Sequence, residues 1–302
     1  MNLELPELHA TLAQTVGRFA TSEVAPHALA MEEAGAITPT IETALADLDL
    51  WSLTLPEDRG GAGLDALAYV LVVEALAAAS PSVAHRYALH AGPACASLAS
   101  SDLPLDTVAA GAVATWSAGG LAPAASSFLV RPSDEGAVIV RGAEATPVGT
   151  MALRAAGLSE HAGGEEVARV SVSGRRWADL GIAAASVGAA QGALDAALAY
   201  ALERQQFGRP IAKFQAIQWK IADAATHVDA ARIMVQHAAC EGSAQAAARA
   251  RAFVGSVGVQ VASDALQIHG GYGYTREYPV ERFLRALRHW GASVDEARLR
   301  AI

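Results

Sequence analysis

The first hundred residues show apolar positions at helical spacing, separated by caps and stops. Near the start, the segment LHATLAQTVGRFATSEVAP repeats its larger apolar residues every three or four positions and is predicted to stop before Pro26. Thr38 and Pro39 are typical of a helix cap and first turn. The segment LDALAYVLVVEALAAAS is apolar almost all round, which predicts a helix buried on most sides. Residues 1–105 are therefore predicted to form an N-terminal helical domain.

The pattern changes between residues 106 and 176. Three segments, SSFLVRP, GAVIVRGAEATPV and EEVARVSVSG, are rich in β-branched residues and separated by Gly, Pro, Ser and Asp. They predict a small antiparallel unit of about four to six strands. Because this zone has few large apolar residues, we expect its core to be shared with the helical zones.

Residues 177–302 return to helical spacing. Leu194, Leu198 and Leu202 recur every fourth residue, and Gly208 beyond them is a natural helix stop. Pro210 then suits the first turn of the next helix. That helix carries one apolar stripe, formed by Ile211, Phe214, Ile217, Ile221, Ala225 and Val228.

Two further helices complete this last zone. One is predicted over residues 243–268 with a stop at Gly270 and Gly271, and the other begins near Pro279. Four long helices with short joints indicate an antiparallel four-helix bundle over residues 177–302. The predicted fold is therefore mainly α, with a small β domain between two helical domains.

Composition narrows the class of protein. The chain has 302 residues, of which 52% are apolar, so it has enough apolar surface for a large core and is not a disordered chain. A formal charge of −9 without a basic tract argues against nucleic-acid binding. Cys95 and Cys240 cannot form a disulfide framework, which favours a reducing cytoplasm. No signal peptide or uninterrupted apolar run of about 18 residues is found, so we expect a cytoplasmic protein without a membrane span.

Charged and aromatic residues interrupt the apolar pattern at the joint between the first two bundle helices. Arg204, at a predicted helix end, can form bidentate, charge-assisted hydrogen bonds with a phosphate group. Phe207 offers a flat apolar face, and Gly270 and Gly271 allow close approach to the backbone. Taken singly, these residues are also typical of a solvated surface charge, a core side chain and a plain helix stop.

The segments around these residues resemble a known family. The two blocks ALAYALERQQFGRPIAKFQAIQWKIAD and ASDALQIHGGYGYTREYPVERFLR resemble the C-terminal helical domain of the flavin-dependent acyl-CoA dehydrogenases. The earlier segment LTLPEDRGGAGLD resembles a loop of that family's N-terminal helical domain. The resemblance implies FAD as cofactor, an acyl-CoA substrate, and contacts from Arg204, Phe207, Gln267 and Gly271 to the flavin nucleotide of a neighbouring subunit.

The catalytic base of that family is missing at its expected position. Many members carry a glutamate after the last bundle helix, where it removes the proton next to the thioester. Ungapped counting places Val294 there, and valine cannot accept a proton. Asp295 and Glu296 follow directly, but an acidic pair is also typical of a solvated helix start. Asp179, in the first bundle helix, is a further candidate because some members place the glutamate in that helix.

The flavin-binding loop of the β domain is also altered. Family members usually carry Thr-Glu-Pro-Gly-x-Gly-Ser-Asp, whereas this chain has ATWSAGGLAPAASSF in a shortened zone, with Thr115 and Ser117 as possible remnants. The chain thus resembles the shortened partner subunit, without the glutamate, of α2β2 dehydrogenases that act on bulky acyl-CoA esters such as sterol side-chain thioesters. We expect it to complete the FAD site of a family partner.

Two other hypotheses stay open. One is a self-sufficient homomeric dehydrogenase that uses Asp295, Glu296 or Asp179 as its base. The other is a non-redox acyl-CoA-binding or scaffold protein, against which the retained Arg-x-x-Phe-Gly and Gln-x-x-Gly-Gly spacings argue. The nine histidines, His269 among them, show no metal-ligand spacing, so no metal is expected.

Overall fold

The computed structural model describes residues 4–118, 120–125, 127–172 and 174–292, and the backbone alone of Ala292. It is mainly helical, with strands concentrated in the middle of the chain, so the predicted fold class is confirmed. The helices are α1 Glu7–Phe19, α2 Ala28–Ala34, α3 Pro39–Asp47, α4 Ala66–Ala79, α5 Pro81–Leu89, α6 Cys95–Ala99, α7 Asp106–Ala109, α8 Arg175–Glu203, α9 Gln215–Glu241, α10 Ala244–His269 and α11 Val280–Ala292. The strands are β1 Thr115–Trp116, β2 Ala122–Pro123, β3 Phe128–Ser133, β4 Gly136–Arg141, β5 Glu144–Pro147, β6 Leu158–Ala162, β7 Glu165–Val170, β8 Gln205–Gln206 and β9 Arg209–Pro210.

The first helical path runs further than predicted. The prediction of a stop before Pro26 is wrong, because the chain passes from α1 through a wide π-helical turn at residues 20–24 and a 3-10 turn at residues 25–27 directly into α2. Proline is tolerated there because it lies in the first turn of the 3-10 segment, where its missing N–H is not needed. The path ends at Gly35, whose φ of 70° is left-handed.

The helix α4 is buried on nearly all sides, as predicted. Tyr69, Val72, Val73 and Leu76 are completely buried, and only Glu74, Ala75 and Ala78 are partly accessible. The side chain of Asp65 caps the helix by accepting a hydrogen bond of 2.9 Å from the Ala68 N–H. Such burial requires contacts on opposite faces, and α4 packs against α1 on one side and α8 on the other.

The middle zone forms two sheets. The sheets have the strand orders β1-β3-β4-β7 and β2-β6-β5, so the prediction of one antiparallel unit of four to six strands is wrong. The pairing of β1 with β3 is parallel, and β6 was missed because its sequence, LSEHA, lacks the β-branched pattern. The expected sharing of the core is present, since Phe128, Val130 and Ile139 pack with Leu55, Leu89 and Leu98 of the helical zones.

The last four long helices form an up-and-down bundle. Consecutive helices are antiparallel, whereas α8 and α10 run parallel: Asp179 meets Arg251 at one end, and Tyr200 stacks on His269 at the other. The helix α9 begins at Gln215 rather than near Pro210, because Pro210 ends β9 and a 3-10 turn follows it. The stop of α10 at Gly270 and the start of α11 after Pro279 are as predicted.

The helix α8 is the central element of the bundle. It contacts α4, α5, α9, α10 and α11. By length and composition α8 could cross a membrane, but 72% of its most apolar 18-residue stretch is buried inside the protein. Its predicted leucine stripe is only partly core: Leu194 is 7% exposed, Leu198 41% and Leu202 58%. The end of α8 that leads to Arg204 therefore leaves apolar surface uncovered.

A glycine sets the distance between α8 and α4. A Cβ added at Gly188 would lie 2.1 Å from the Glu74 carbonyl oxygen and 2.8 Å from Ala77 Cβ. We expect Gly188→Ala to lower the free energy of unfolding by roughly 1–3 kcal/mol, since the backbone of a packed helix must move. Urea unfolding of the chain measures this loss.

The matched control is Gly17→Ala in α1, where an added Cβ meets nothing within 4 Å. That variant should gain up to about 1 kcal/mol from helix propensity alone. Equal effects at the two sites would contradict the close approach of α8 and α4.

Candidate functional site

A groove of about 570 Å³ lies at the end of the bundle where α8 and α10 both terminate. Tyr200, Arg204, His269, Gly271 and Tyr272 are among the residues that line it. Because α8 and α10 are parallel, both helices bring their C-terminal carbonyl groups, with partial negative charge, to this end. Cationic side chains at this end are therefore stabilised by both helices.

Arg204 follows the last residue of α8 and extends over the groove. Its backbone N–H donates to the Tyr200 carbonyl oxygen at 2.8 Å, which closes the helix. Its side chain is exposed, and the guanidinium carbon lies 5.8 Å from the ring centroid of Tyr272. Within the part of the chain that the structure describes, no carboxylate lies within ion-pair distance of this guanidinium. Its five donors are thus available to an anion from outside the chain.

Phe207 occupies the tip of a tight hairpin directly after Arg204. The strands β8 and β9 pair Gln206 with Arg209, and the two residues between them, Phe207 and Gly208, have φ values of 53° and 76°. Two successive positive φ values are those of a type I′ turn, which favours Asn-Gly and disfavours a bulky first residue. The ring is also 91% exposed. Phe207 is therefore unfavourable both for the backbone conformation and for solvation.

Two neighbours hold the tip of this hairpin. The ring of Phe207 meets that of Phe214 edge-on, with centroids 6.2 Å apart, and the Arg209 guanidinium lies 4.4 Å from the Phe214 centroid. These contacts orient one edge of Phe207 and leave its remaining surface to solvent. A flat, exposed aromatic face beside a cationic groove suits stacking against a nucleotide base.

Gly270 and Gly271 differ in whether the local backbone conformation requires a glycine. Gly270 has a φ of 62° and a ψ of −137°, a combination that other residues avoid. Gly271 has no such φ, and a Cβ added there would meet nothing within 4 Å. Nothing inside the described chain requires a glycine at position 271. The free space above its backbone opens onto the groove, which leaves room for close approach by another molecule.

The structure thus brings some of the predicted residues together. Arg204 and Gly271 line the same groove, and Phe207 adjoins it through Gln206, which also lines it. Gln267 is exposed on α10, one turn before Gly271, but it lies outside the groove wall. Tyr200 and Tyr278 were missed by sequence reasoning, and their spacing around the glycine pair was the available signal.

The candidate bases are less accessible. Val294, Asp295 and Glu296 lie outside the described residues. Asp179 is buried, and its Oδ1 accepts a hydrogen bond of 2.6 Å from Arg251 Nη1, which forms an ion pair between α8 and α10. The helix α8 rises by about 1.5 Å per residue, which places Asp179 roughly 37 Å from Arg204.

The possible remnants of the flavin loop are also buried. Thr115 is 1% exposed and Ser117 7%. The Ser117 hydroxyl donates to the Gly120 carbonyl oxygen at 2.9 Å, and its backbone N–H donates to the Val130 carbonyl oxygen. Both side chains face the interior of the protein. They do not form the accessible, hydroxyl-rich loop that the family pattern implies.

A buried cysteine–histidine pair has no catalytic character. Cys95 Sγ lies 3.7 Å from His90 Nε2, and both residues are fully buried. Burial raises the pKa of Cys95 to about 12 and lowers that of His90 to about 4, so both are neutral at pH 7. Among the described residues, no group of three His, Cys, Asp or Glu side chains is arranged to hold a metal ion.

Two sequence profiles of one family match the chain. The acyl-CoA dehydrogenase N-terminal domain profile matches residues 6–101, and the C-terminal domain profile matches residues 146–290. Between these matches lie residues 102–145, which hold the strands β1 to β4. The two matches together span more than half of the chain.

Individual relatives agree with the profiles. The probable acyl-CoA dehydrogenase FadE25 of Mycobacterium tuberculosis is 30% identical over 358 positions, which cover 93% of this chain and 90% of that protein. That alignment has more positions than this chain has residues, so the relative contains segments that this chain lacks. The 3-sulfinopropanoyl-CoA desulfinase of Paraburkholderia xenovorans is 47% identical over 124 residues, 40% of this chain and 32% of that protein.

A solved structure gives the same fold. Butyryl-CoA dehydrogenase from Megasphaera elsdenii superimposes with a TM-score of 0.81 over 99% of this chain and 100% of that chain, at 22% identity. At 22% identity, this likeness shows the fold alone, whereas the two sequence profiles show the family. The chain belongs to the acyl-CoA dehydrogenase family of oxidoreductases, whose members bind FAD.

Proposed function

We propose that this chain is a subunit of a flavin-dependent acyl-CoA dehydrogenase and that its groove completes the FAD site of a neighbouring chain. The observation that carries the proposal is Phe207, a bulky residue with positive φ at the tip of a hairpin and 91% exposed. Neither the positive φ nor the solvent exposure of Phe207 stabilises the isolated chain. A strained, exposed aromatic residue is expected where a ligand or partner covers it.

The residues around Phe207 fit a dinucleotide. The Arg204 guanidinium suits the diphosphate, the Phe207 ring suits the adenine, and the bare backbone at Gly271 allows close approach. Gln267, exposed on α10 one turn before Gly271, is expected to add a hydrogen bond from outside the groove wall. When bound, the flavin accepts the hydride that the acyl-CoA substrate loses. The contribution of this chain is to bind and orient the nucleotide end.

The partner would supply what this chain lacks. Thr115 and Ser117 are buried, Val294 cannot take up a proton, and Asp179 is ion-paired with Arg251. We infer an α2β2 assembly in which a second family chain provides the carboxylate base and holds the flavin ring. A shortened β zone leaves room for a bulky acyl group on that chain, such as a sterol side-chain thioester.

Arg204→Gln tests the groove directly. The chain alone should be colourless, and co-expression with a family chain encoded beside it should give a yellow complex with less than one flavin per chain. Loss of a charge-assisted hydrogen bond of about 1.5–3 kcal/mol should weaken FAD retention by roughly ten- to a hundredfold. FAD absorbance after dialysis of the complex measures this loss.

The control is Arg249→Gln, an exposed arginine of α10 that lies about 30 Å along the helix from His269. It should leave FAD content unchanged. A yellow, active homotetramer formed by this chain alone would refute the division of labour. A complex that assembles without any flavin would favour the non-redox scaffold.

Phe207→Asn separates stability from function. Asparagine tolerates positive φ and forms the favoured Asn-Gly turn, so the isolated chain should gain about 1 kcal/mol in free energy of unfolding. The same variant should reduce FAD retention in the complex. Urea unfolding and flavin absorbance measure the two effects, with Gly208→Ala as the control that destabilises the turn. A gain in stability together with full FAD retention would show that Phe207 does not contribute to FAD binding.

Asp179→Ala tests the self-sufficient alternative, in which Asp179, Asp295 or Glu296 is the base. Removal of one partner of a buried ion pair should lower the free energy of unfolding by about 3 kcal/mol, because the attraction between Asp179 and Arg251 is lost. Dye reduction per folded complex should stay unchanged in this variant and in Asp295→Ala and Glu296→Ala. Loss of turnover in any of the three, at unchanged assembly and FAD content, would assign the base to this chain.

A further inference from the structure

His269, the last residue of α10, has a ring held in place on three sides. Its Nδ1 lies 2.8 Å from the Ala265 carbonyl oxygen, which can only accept, so Nδ1 carries a proton. The ring stacks on Tyr200 at a centroid distance of 4.4 Å and an angle of 23°, and Tyr278 meets it at 5.3 Å. These contacts fix both the tautomer and the orientation of the neutral ring.

The other ring nitrogen of His269, Nε2, is accessible from the groove. His269 lines the groove beside Arg204 and Gly271 although the residue is only 3% exposed. Nε2 has no hydrogen-bond partner among the described residues, and it is not sealed from solvent. Because Nδ1 faces the helix backbone, the Nε2 edge of the ring is the one that borders the groove.

Among the described residues, no acidic side chain forms an ion pair or a hydrogen bond with the His269 ring. The titratable groups in contact with it are Tyr200 from α8 and Tyr278 from the segment between α10 and α11. Arg204, directly after α8, and Tyr272 line the same groove. Burial lowers the pKa of His269 below its ordinary value, and the hydrogen bond to Ala265 opposes this effect. The ring is therefore neutral at pH 7 until a negative charge enters the groove.

We propose that His269 is a second phosphate-binding residue, which holds the nucleotide diphosphate through a protonated Nε2 and makes cofactor retention depend on pH. This inference rests on the proposed function of the groove. Arg204 and His269 line the same groove, so both cations would contact a diphosphate bound there. The C-terminal end of α10 adds to the preference for a charged ring at this position.

The sign of the pH dependence follows from the charge. A bound anion raises the pKa of the imidazole, so the contribution of the protonated ring is complete below the pKa of the free groove. It is lost as the pH rises through the pKa of the complex. An opposite charge in contact commonly shifts a pKa by about one unit or more, which corresponds to about tenfold in affinity.

The test compares His269→Phe and His269→Gln with the unaltered chain in the co-expressed complex. Phenylalanine keeps the stack on Tyr200, glutamine keeps a polar side chain, and neither titrates. Equilibrium dialysis of FAD at pH 6, 7 and 8 should show that the dissociation constant of the unaltered complex rises with pH, by up to about tenfold. Both variants should lack this rise and match the unaltered complex at pH 8.

The possible results separate the two proposals. Binding of FAD with the same pH slope in the unaltered complex and in both variants would overturn the role of His269 and leave the proposed function intact. Absence of FAD at every pH in the unaltered complex would overturn the proposed function itself. Arg204→Gln serves as the reference, because it should weaken FAD binding at all three pH values and leave the slope in place.

Discussion

The close contact between the backbones of α8 and α4 is the constraint on which the remaining structure depends. Gly188 leaves no room for a side chain above the Glu74 carbonyl oxygen, so α8 lies directly on the most buried helix of the first zone. The other bundle helices then pack around α8. Because α8 is a single element of 29 residues, its fixed position also fixes where Arg204 emerges. The site at one end of the bundle is thus positioned by packing in its middle.

The parallel course of α8 and α10 explains the chemistry of the groove. Anion sites in proteins often use helix N-termini, where free N–H groups supply donors. Here two C-termini meet, and their carbonyl groups would repel a diphosphate. A nucleotide bound here, as we propose, therefore needs explicit cations at this end, and Arg204 and His269 are the residues that we infer to supply them. The tyrosine rings at positions 200 and 272 keep these cations oriented over the groove.

The sequence predicted elements well where local pattern decides them, and less well where tertiary contacts do. The burial of α4 on nearly all sides and the end of α10 at Gly270 were predicted from the spacing of apolar residues and glycines. The passage through Pro26 was not, because a π-helical turn lets the helix continue past a residue that usually ends one. The role of Asp179 as the partner of Arg251 depends on a contact 72 positions away. The predicted boundaries after residues 105 and 176 remain predictions.

The leucine stripe of α8 connects assembly with the cofactor site. Exposure rises from 7% at Leu194 to 58% at Leu202, in the direction of the groove. Trp219 on α9, near the same end of the bundle, is 63% exposed. Large exposed apolar residues at one end of a bundle are consistent with an interface that another chain covers. If a partner covers this surface, its binding brings a second polypeptide to the groove, so that the apolar contact and the nucleotide contact form together. The proposed neighbouring subunit would thus explain both the exposed leucines and the strained Phe207.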